Sequence, residues 1–137
     1  MKFDVALSFA GEQRRYVEKV AKILSAEGIS VFYDEFFESH LWGMDLSEYL
    51  QTVYYSESRW CMMFISKEYV CKAWPSHERK NALAKDVQLG GGYILPVRFD
   101  DTVVPGLSPS IAYQDARIKS PAHIAALFIE KFDASNT

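Results

Sequence analysis

Apolar residues in this chain gather into short unbroken runs separated by amphipathic stretches. The first run, Phe3-Asp4-Val5-Ala6-Leu7-Ser8-Phe9, is nearly continuous, which suits a strand buried on both faces. From Glu12 to Glu27 the pattern changes: Val17, Val20, Ala21 and Leu24 fall at i, i+3, i+4 and i+7, the stripe of an amphipathic helix. Gly28 stands where a glycine just past the last turn would end it. Ile29 to Asp34 follows at once as a second strand, leaving room only for a tight turn. Between Glu35 and Asp45 periodicity is lost, and Phe36, Phe37, Leu41 and Trp42 lie among polar residues, a loop rich in aromatic surface. Leu46, Leu50 and Val53 then mark one face of a helix reaching about Tyr55.

Arg59 to Ile65 is a buried central strand, and Ser66 is placed to cap a short helical turn over Lys67 to Val70. Trp74-Pro75 marks a fresh start, since proline is favoured at the first helical position; the helix is expected from near Pro75 to about Val87. Gly90-Gly91-Gly92 is a turn before a fourth strand, Tyr93 to Phe99, in which Pro96 needs a place where no ladder donor is missed. Asp100 to Ser110 reads as loop, Tyr113 to Ile118 as a short edge strand, and Ser120-Pro121 opens a last helix with Ile124, Leu127, Phe128 and Phe132 inward. Strand and helix alternate, and the strands are apolar runs rather than alternating ones. That predicts an α/β fold, a flavodoxin-like doubly wound five-stranded parallel sheet of order 2-1-3-4-5 with helices on both faces.

At 137 residues the chain reads as one domain, 1–133, with a tail at 134–137. A hydrophobic fraction of 49% fills a core and excludes wholesale disorder. The formal net charge of −3 lacks the cation surplus that general nucleic-acid binding needs. No apolar run approaches the ~20 residues that span a bilayer, so no membrane partner is expected. The charged start, Met1-Lys2-Phe3-Asp4, does not read as a secretory signal. Cys61 and Cys71 have neither metal-ligand nor disulfide-scaffold spacing; a reduced cytoplasmic setting and no metal site are the expectation.

In doubly wound folds the functional crevice lies beyond the carboxyl ends of the strands, which directs attention to 8–11, 34–45, 66–78 and 100–109. A phosphoacceptor receiver would need acidic residues after strand one and an aspartate after strand three, but Ser8-Phe9-Ala10 and Ser66-Lys67 stand there. Phe9-Ala10-Gly11-Glu12-Gln13 lacks the hydroxyls of a flavodoxin phosphate loop and the G-x-G-x-x-G of a dinucleotide site. What stands out is Trp74-Pro75-Ser76-His77-Glu78. Trp74 and Glu78, four apart, share one side of a helix start. By spacing alone they fit two descriptions. One is a core aromatic with a solvated first-turn carboxylate. The other is an aromatic face that stacks a flat heterocycle beside a carboxylate that binds sugar hydroxyls and stabilises an oxocarbenium-like transition state.

Several segments, in order and at the strand ends, resemble a bacterial Toll/interleukin-1 receptor (TIR) domain over nearly the whole chain. They are Asp4 to Gly11, Val31 to Glu35, Leu41-Trp42-Gly43-Met44-Asp45-Leu46, Phe64 to Tyr69, Trp74 to Glu78 and Ile94 to Val97. The resemblance implies an NAD⁺ glycohydrolase, with NAD⁺ as substrate and no further cofactor, and places the catalytic carboxylate on Glu78. It implies that Ser8, Phe9 and Ala10 line the pocket with Trp74, and that Trp42 belongs to a loop that gates the site and joins neighbouring subunits. Enzymatic relatives often carry basic residues just after the aromatic of the first loop, whereas this chain has Ala10-Gly11, with Arg14 and Arg15 a turn later. The products would be nicotinamide with ADP-ribose or a cyclic isomer. The resemblance further implies head-to-tail assembly with other TIR domains, a fused or separate sensor domain, and a role in bacterial antiphage defence. A scaffold or effector acting only by TIR–TIR association is the alternative. Trp42, Phe36 and Phe37 read equally as anchors tying their loop to the body; Cys71 reads as a packed thiol near Trp74, and His77 as a non-catalytic neighbour of Glu78.

Overall fold

The computed structural model describes residues 2–136, with the side chains of 73–78 outside the described residues. Its strands are β1 (Phe3–Ser8), β2 (Val31–Phe32), β3 (Ser58–Ile65), β4 (Ile94–Arg98) and β5 (Gln114–Asp115). Its helices are α1 (Arg14–Ala26), α2 (Glu38–Leu41), α3 (Leu46–Thr52), α4 (Lys67–Cys71), α5 (Ala73–Leu89) and α6 (Pro121–Ser135). The five strands form one parallel sheet of order β2-β1-β3-β4-β5, as the sequence pattern predicts.

The apolar runs divide by period two between two cores, because successive strand residues point to opposite faces. Val5 and Leu7 of β1 with Trp60, Met62 and Phe64 of β3 meet α1 and α6 through Val17, Val20, Leu24, Ile124 and Phe128. Ala6, Cys61, Met63 and Ile65 face the other way, toward Leu50, Tyr54, Tyr69 and Ala82. Caps end the helices where the sequence suggests: the Ser66 side chain accepts from the Tyr69 amide, Ser120 accepts from that of His123, and Gly90 closes α5 at φ 76°. Pro96 pairs in register with Met63 inside the sheet without leaving a donor missing. The amides of Cys61 and Phe99 bond to Tyr93 and Ile65 carbonyls, so odd-numbered β4 residues face β3. Pro96 therefore faces the β5 side, where pairing begins only at Val97.

Some boundaries differ from expectation. β2 pairs only at Val31 and Phe32, because the Phe36 amide turns back to the Tyr33 carbonyl and starts a 3₁₀ turn over Asp34–Phe37. The loop from Glu35 is thus largely helical, with α2 directly after that turn. α3 stops at Thr52 and widens into a π turn, Val53–Glu57, which sets Val53 and Tyr54 in the core. α5 begins at Ala73, two residues before Pro75; the proline falls in the first turn, where amides lack intrahelical partners anyway. The last strand is Gln114–Asp115 alone, and α6 continues to Ser135.

Candidate functional site

A cavity of about 900 Å³ opens at the carboxyl ends of β1 and β2. That is large enough for a dinucleotide-sized ligand, since drug-sized ligands occupy pockets of ~300–1,000 Å³. Its floor is apolar: Leu7 from β1, Phe32 from β2, Leu46 and Leu50 from α3, and Tyr54 from the π turn. Phe9 and Gly11 form one wall, and Asp34, Glu35, Glu38, Ser39, Leu41 and Trp42 form the other. Lys72, which immediately precedes α5, completes the rim.

The floor is stiffened by aromatic contacts. The Phe32 ring meets Phe3 at 5.3 Å edge-on, stacks on Phe37 at 5.6 Å, and touches Tyr49 and Tyr54 at 6.2 and 6.1 Å. Tyr54 is 1% exposed and donates its hydroxyl to the Leu7 carbonyl at 2.8 Å, while its own carbonyl accepts from the Tyr93 hydroxyl. This explains the π turn: the wider loop lets Tyr54 reach the end of β1.

Arg14 organises the opposite side. Its guanidinium grips Asp34 with two bonds of 2.9 Å, lies 3.2 Å from Glu35, donates to the Tyr33 hydroxyl at 3.0 Å, and sits 5.0 Å over the Phe9 ring. A bidentate arginine–carboxylate pair is directional as well as strong, so it fixes the start of the 34–42 segment against α1. Hydrogen bonding to Asp34 raises the Arg14 pKa further still, and Arg14 remains a cation throughout.

Tyr33 stands behind this wall, fully buried and stacked on Phe9 at 5.7 Å. Burial pushes its phenol up to about 12, against the opposing pull of Arg14, and burial does the same for Tyr16. The unfolded phenol titrates near 10, so full stability is present below pH ~10. Between pH 10 and 12 the unfolded chain ionises while the folded chain does not, and stability is lost. Urea midpoints are expected to fall progressively over that window, and Tyr33→Phe should make the fall shallower. An unchanged slope in Tyr33→Phe would exclude Tyr33 as a contributor.

The sequence-predicted residues separate here. Phe9 lines the cavity; Ser8 and Ala10 are buried at 0% and 1% and stand behind it. The Ser8 hydroxyl pairs with that of Tyr69 at 2.6 Å, and the Ser66 hydroxyl donates to Gln13 at 3.0 Å, tying the ends of β1 and β3 together. Trp42 lines the cavity while 89% exposed, whereas Phe37 packs between Phe32 and Phe3, so the loop's aromatics divide into an anchor and a projecting face. Cys71 is exposed rather than packed, and does not line the cavity. Trp74, His77 and Glu78 carry side chains outside the described residues. Their backbone forms the first turns of α5, directly after the rim residue Lys72. Arg79, next after Glu78, donates to the carbonyls of Tyr69 and Val70 at 3.4 and 3.3 Å and holds α5 against α4.

Sequence reasoning did not place Arg14 in the wall, and it left Glu38 and Lys72 unnamed within the flagged strand-end segments 34–45 and 66–78. Asp34 and Glu35 were signalled by their place at the end of strand two. Among the described residues no group of three or more His, Cys, Asp or Glu side chains is arranged to hold a metal ion, and no helix is long and apolar enough to cross a membrane.

The family described as "TIR domain" matches residues 5–128. The chain is 44% identical over 135 residues, 98% of its length, to the 3' cyclic ADP-D-ribose synthase AaTIR of Aquimarina amphilecti, covering 41% of that protein. It is 33% identical over 96 residues, 69% of its length, to the NAD(+) hydrolase TcpA of Theionarchaea archaeon (strain DG-70-1), covering 28% of it. The chain therefore spans less than half of either curated relative. Among solved structures, the TIR domain of the Toll-related receptor TRR-2 from Hydra magnipapillata superposes with a TM-score of 0.67 at 18% identity, over 93% of this chain and 97% of that one. The TIR domains of the activated Roq1 resistosome superpose with a TM-score of 0.62 at 26% identity, over 96% of this chain and 71% of that one.

Proposed function

The chain belongs to the TIR domain family, and from that premise we propose that it cleaves NAD⁺ between nicotinamide and ribose. The observation that carries this is the 44% identity to a cyclic ADP-ribose synthase across 98% of the chain. The cavity of about 900 Å³ at the ends of β1 and β2 supports it.

In this reading NAD⁺ occupies the cavity, with Phe9, Trp42 and Trp74 supplying aromatic surface and Glu78 acting on the nicotinamide ribose. Ser8 and Ala10 contribute by holding Phe9 rather than by touching the ligand. The glycosidic C–N bond breaks with its electron pair moving to the ring nitrogen, which neutralises the pyridinium. The leaving group therefore needs no proton. Positive charge develops on the ribose, and the Glu78 carboxylate stabilises it and binds the ribose hydroxyls. Water capture at the anomeric carbon, with loss of a proton, yields ADP-ribose. Capture by a hydroxyl of the adenosine ribose, again with loss of a proton, closes a cyclic isomer. The relative's name favours cyclisation, and the cellular setting is read as nucleotide signalling in cytoplasmic antiphage defence.

Incubating the purified chain with NAD⁺ and separating the products tests this directly. Nicotinamide with ADP-ribose or a cyclic isomer is expected; no release, even under crowding that packs chains together, overturns it.

Trp42 projects from the cavity rim at 89% exposure, with Met44 beside it at 38%. We propose that this face meets a neighbouring TIR domain, so that activity rises with assembly. Trp42→Ala is then expected to lower specific activity about tenfold at a fixed concentration, because large aromatics dominate such contacts. A specific activity independent of concentration in the parent protein would count against assembly.

A further inference from the structure

The substrate assigned above carries a diphosphate, yet the loop after β1 offers Ala10-Gly11 where a basic residue would be useful. Among the described residues two cations line the cavity, Arg14 and Lys72. They are not equally available. Arg14 is committed to Asp34 through two bonds, to Glu35 and to the Tyr33 hydroxyl, and one face of its guanidinium lies over the Phe9 ring. Turning it to a ligand would leave two carboxylates side by side without a counter-ion.

Among the described residues Lys72 has one ionic partner, Glu12, at 2.6 Å. Their side chains are 49% and 43% exposed. Exchange here is cheap, since solvent screens an exposed pair of this kind and leaves it little net stabilisation. Charge-assisted bonds to phosphate oxygens are stronger than that. Lys72 is also a compact point charge on a flexible stem, and can move between two acceptors without losing a fork geometry. We propose that Lys72 is the diphosphate-binding residue of this site and that Glu12 is its resident partner in the empty cavity, displaced when substrate enters. The inference takes its substrate from the proposed NAD⁺ cleavage, but its chemistry requires only a diphosphate-bearing nucleotide.

The two sides of this pair then have opposite effects. Removing Lys72 removes a ligand for substrate; removing the Glu12 charge removes a competitor. A clasp that merely braced the β1 loop against the start of α5 would weaken in the same direction from either side. Binding of ADP-ribose, which carries the diphosphate and is not consumed, is measured by titration calorimetry for the parent, Lys72→Gln, Lys72→Arg and Glu12→Gln. Lys72→Gln is expected to raise Kd about tenfold. Glu12→Gln should lower it about threefold. Lys72→Arg, which keeps the charge, should stay within about twofold of the parent. In turnover, the same variants should move KM for NAD⁺ in the same directions with kcat little changed.

Weaker binding in both Lys72→Gln and Glu12→Gln, or no change in Lys72→Gln, overturns the assignment. Opposite shifts in ADP-ribose affinity without nicotinamide release would uphold Lys72 as a phosphate ligand while removing the catalytic reading. Nicotinamide release whose KM for NAD⁺ is unmoved by Lys72→Gln would do the reverse.

Discussion

Glu78→Gln is expected to reduce nicotinamide release by about a hundredfold or more, the loss typical when a preorganised group at a developing charge is removed. The substitution keeps size and hydrogen-bonding capacity and removes the negative charge, so it isolates the stabilisation of the ribosyl cation. NAD⁺ binding should change little, because glutamine keeps hydrogen bonds to the ribose hydroxyls while the proposed phosphate contact lies on Lys72 and the aromatic surface on Phe9, Trp42 and Trp74. The informative pattern is therefore a collapsed kcat with Kd for ADP-ribose within about twofold of the parent. Release by Glu78→Gln at the parental rate would remove this carboxylate from the chemistry. Asp in its place would retain charge but sit one methylene short, and is expected to recover only part of the activity.

The second large effect is on stability and reaches the site indirectly. Phe32→Ala should lower unfolding free energy by about 3–5 kcal/mol, as expected for deleting a buried aromatic ring. Phe32 is 1% exposed and contacts four other rings, those of Phe3, Phe37, Tyr49 and Tyr54. It also lies under the cavity, so its loss would merge the cavity with the core. Phe37, which anchors the loop bearing Trp42, would lose its stacking partner. Phe32→Leu, which refills much of the volume, should recover over half of the stability but not the ring stacking. Chemical denaturation of the three proteins measures this. A loss below about 1 kcal/mol in Phe32→Ala would show that the neighbouring rings collapse into the space.

Both predictions depend on features with different origins. The alternation of apolar runs with amphipathic helices is local, and each run reads directly from side-chain type and spacing. Arg59 to Ile65, for example, has too few polar positions to face water on either side, and it becomes the central strand β3 with Ser66 capping α4. The two-residue length of β2 was not legible in the same way. Ile29 to Asp34 is apolar enough for a full strand, and only the turn of Phe36 back on Tyr33 ends it early.

The candidate site divides along the same line. Phe9, Asp34, Glu35 and Trp42 could be placed near the crevice because the parallel-sheet rule puts function at the carboxyl ends of strands. Phe37 could not be told from Trp42, because both are aromatics in an aperiodic segment. Which one packs depends on whether Phe3 and Phe32 offer a surface, and these lie 34 and 5 positions away from Phe37 in the chain.

By itself, then, the sequence determined the order of elements, the parallel sheet, the two-sided core and the family, because these follow from hydrophobic periodicity and short motifs within single segments. Only the tertiary structure decided that Arg14 is locked onto Asp34 while Lys72 pairs, among the described residues, with the exchangeable Glu12, 60 residues distant. Ion pairing depends on distance in space, and any carboxylate in the chain is an equal candidate until folding brings one within reach.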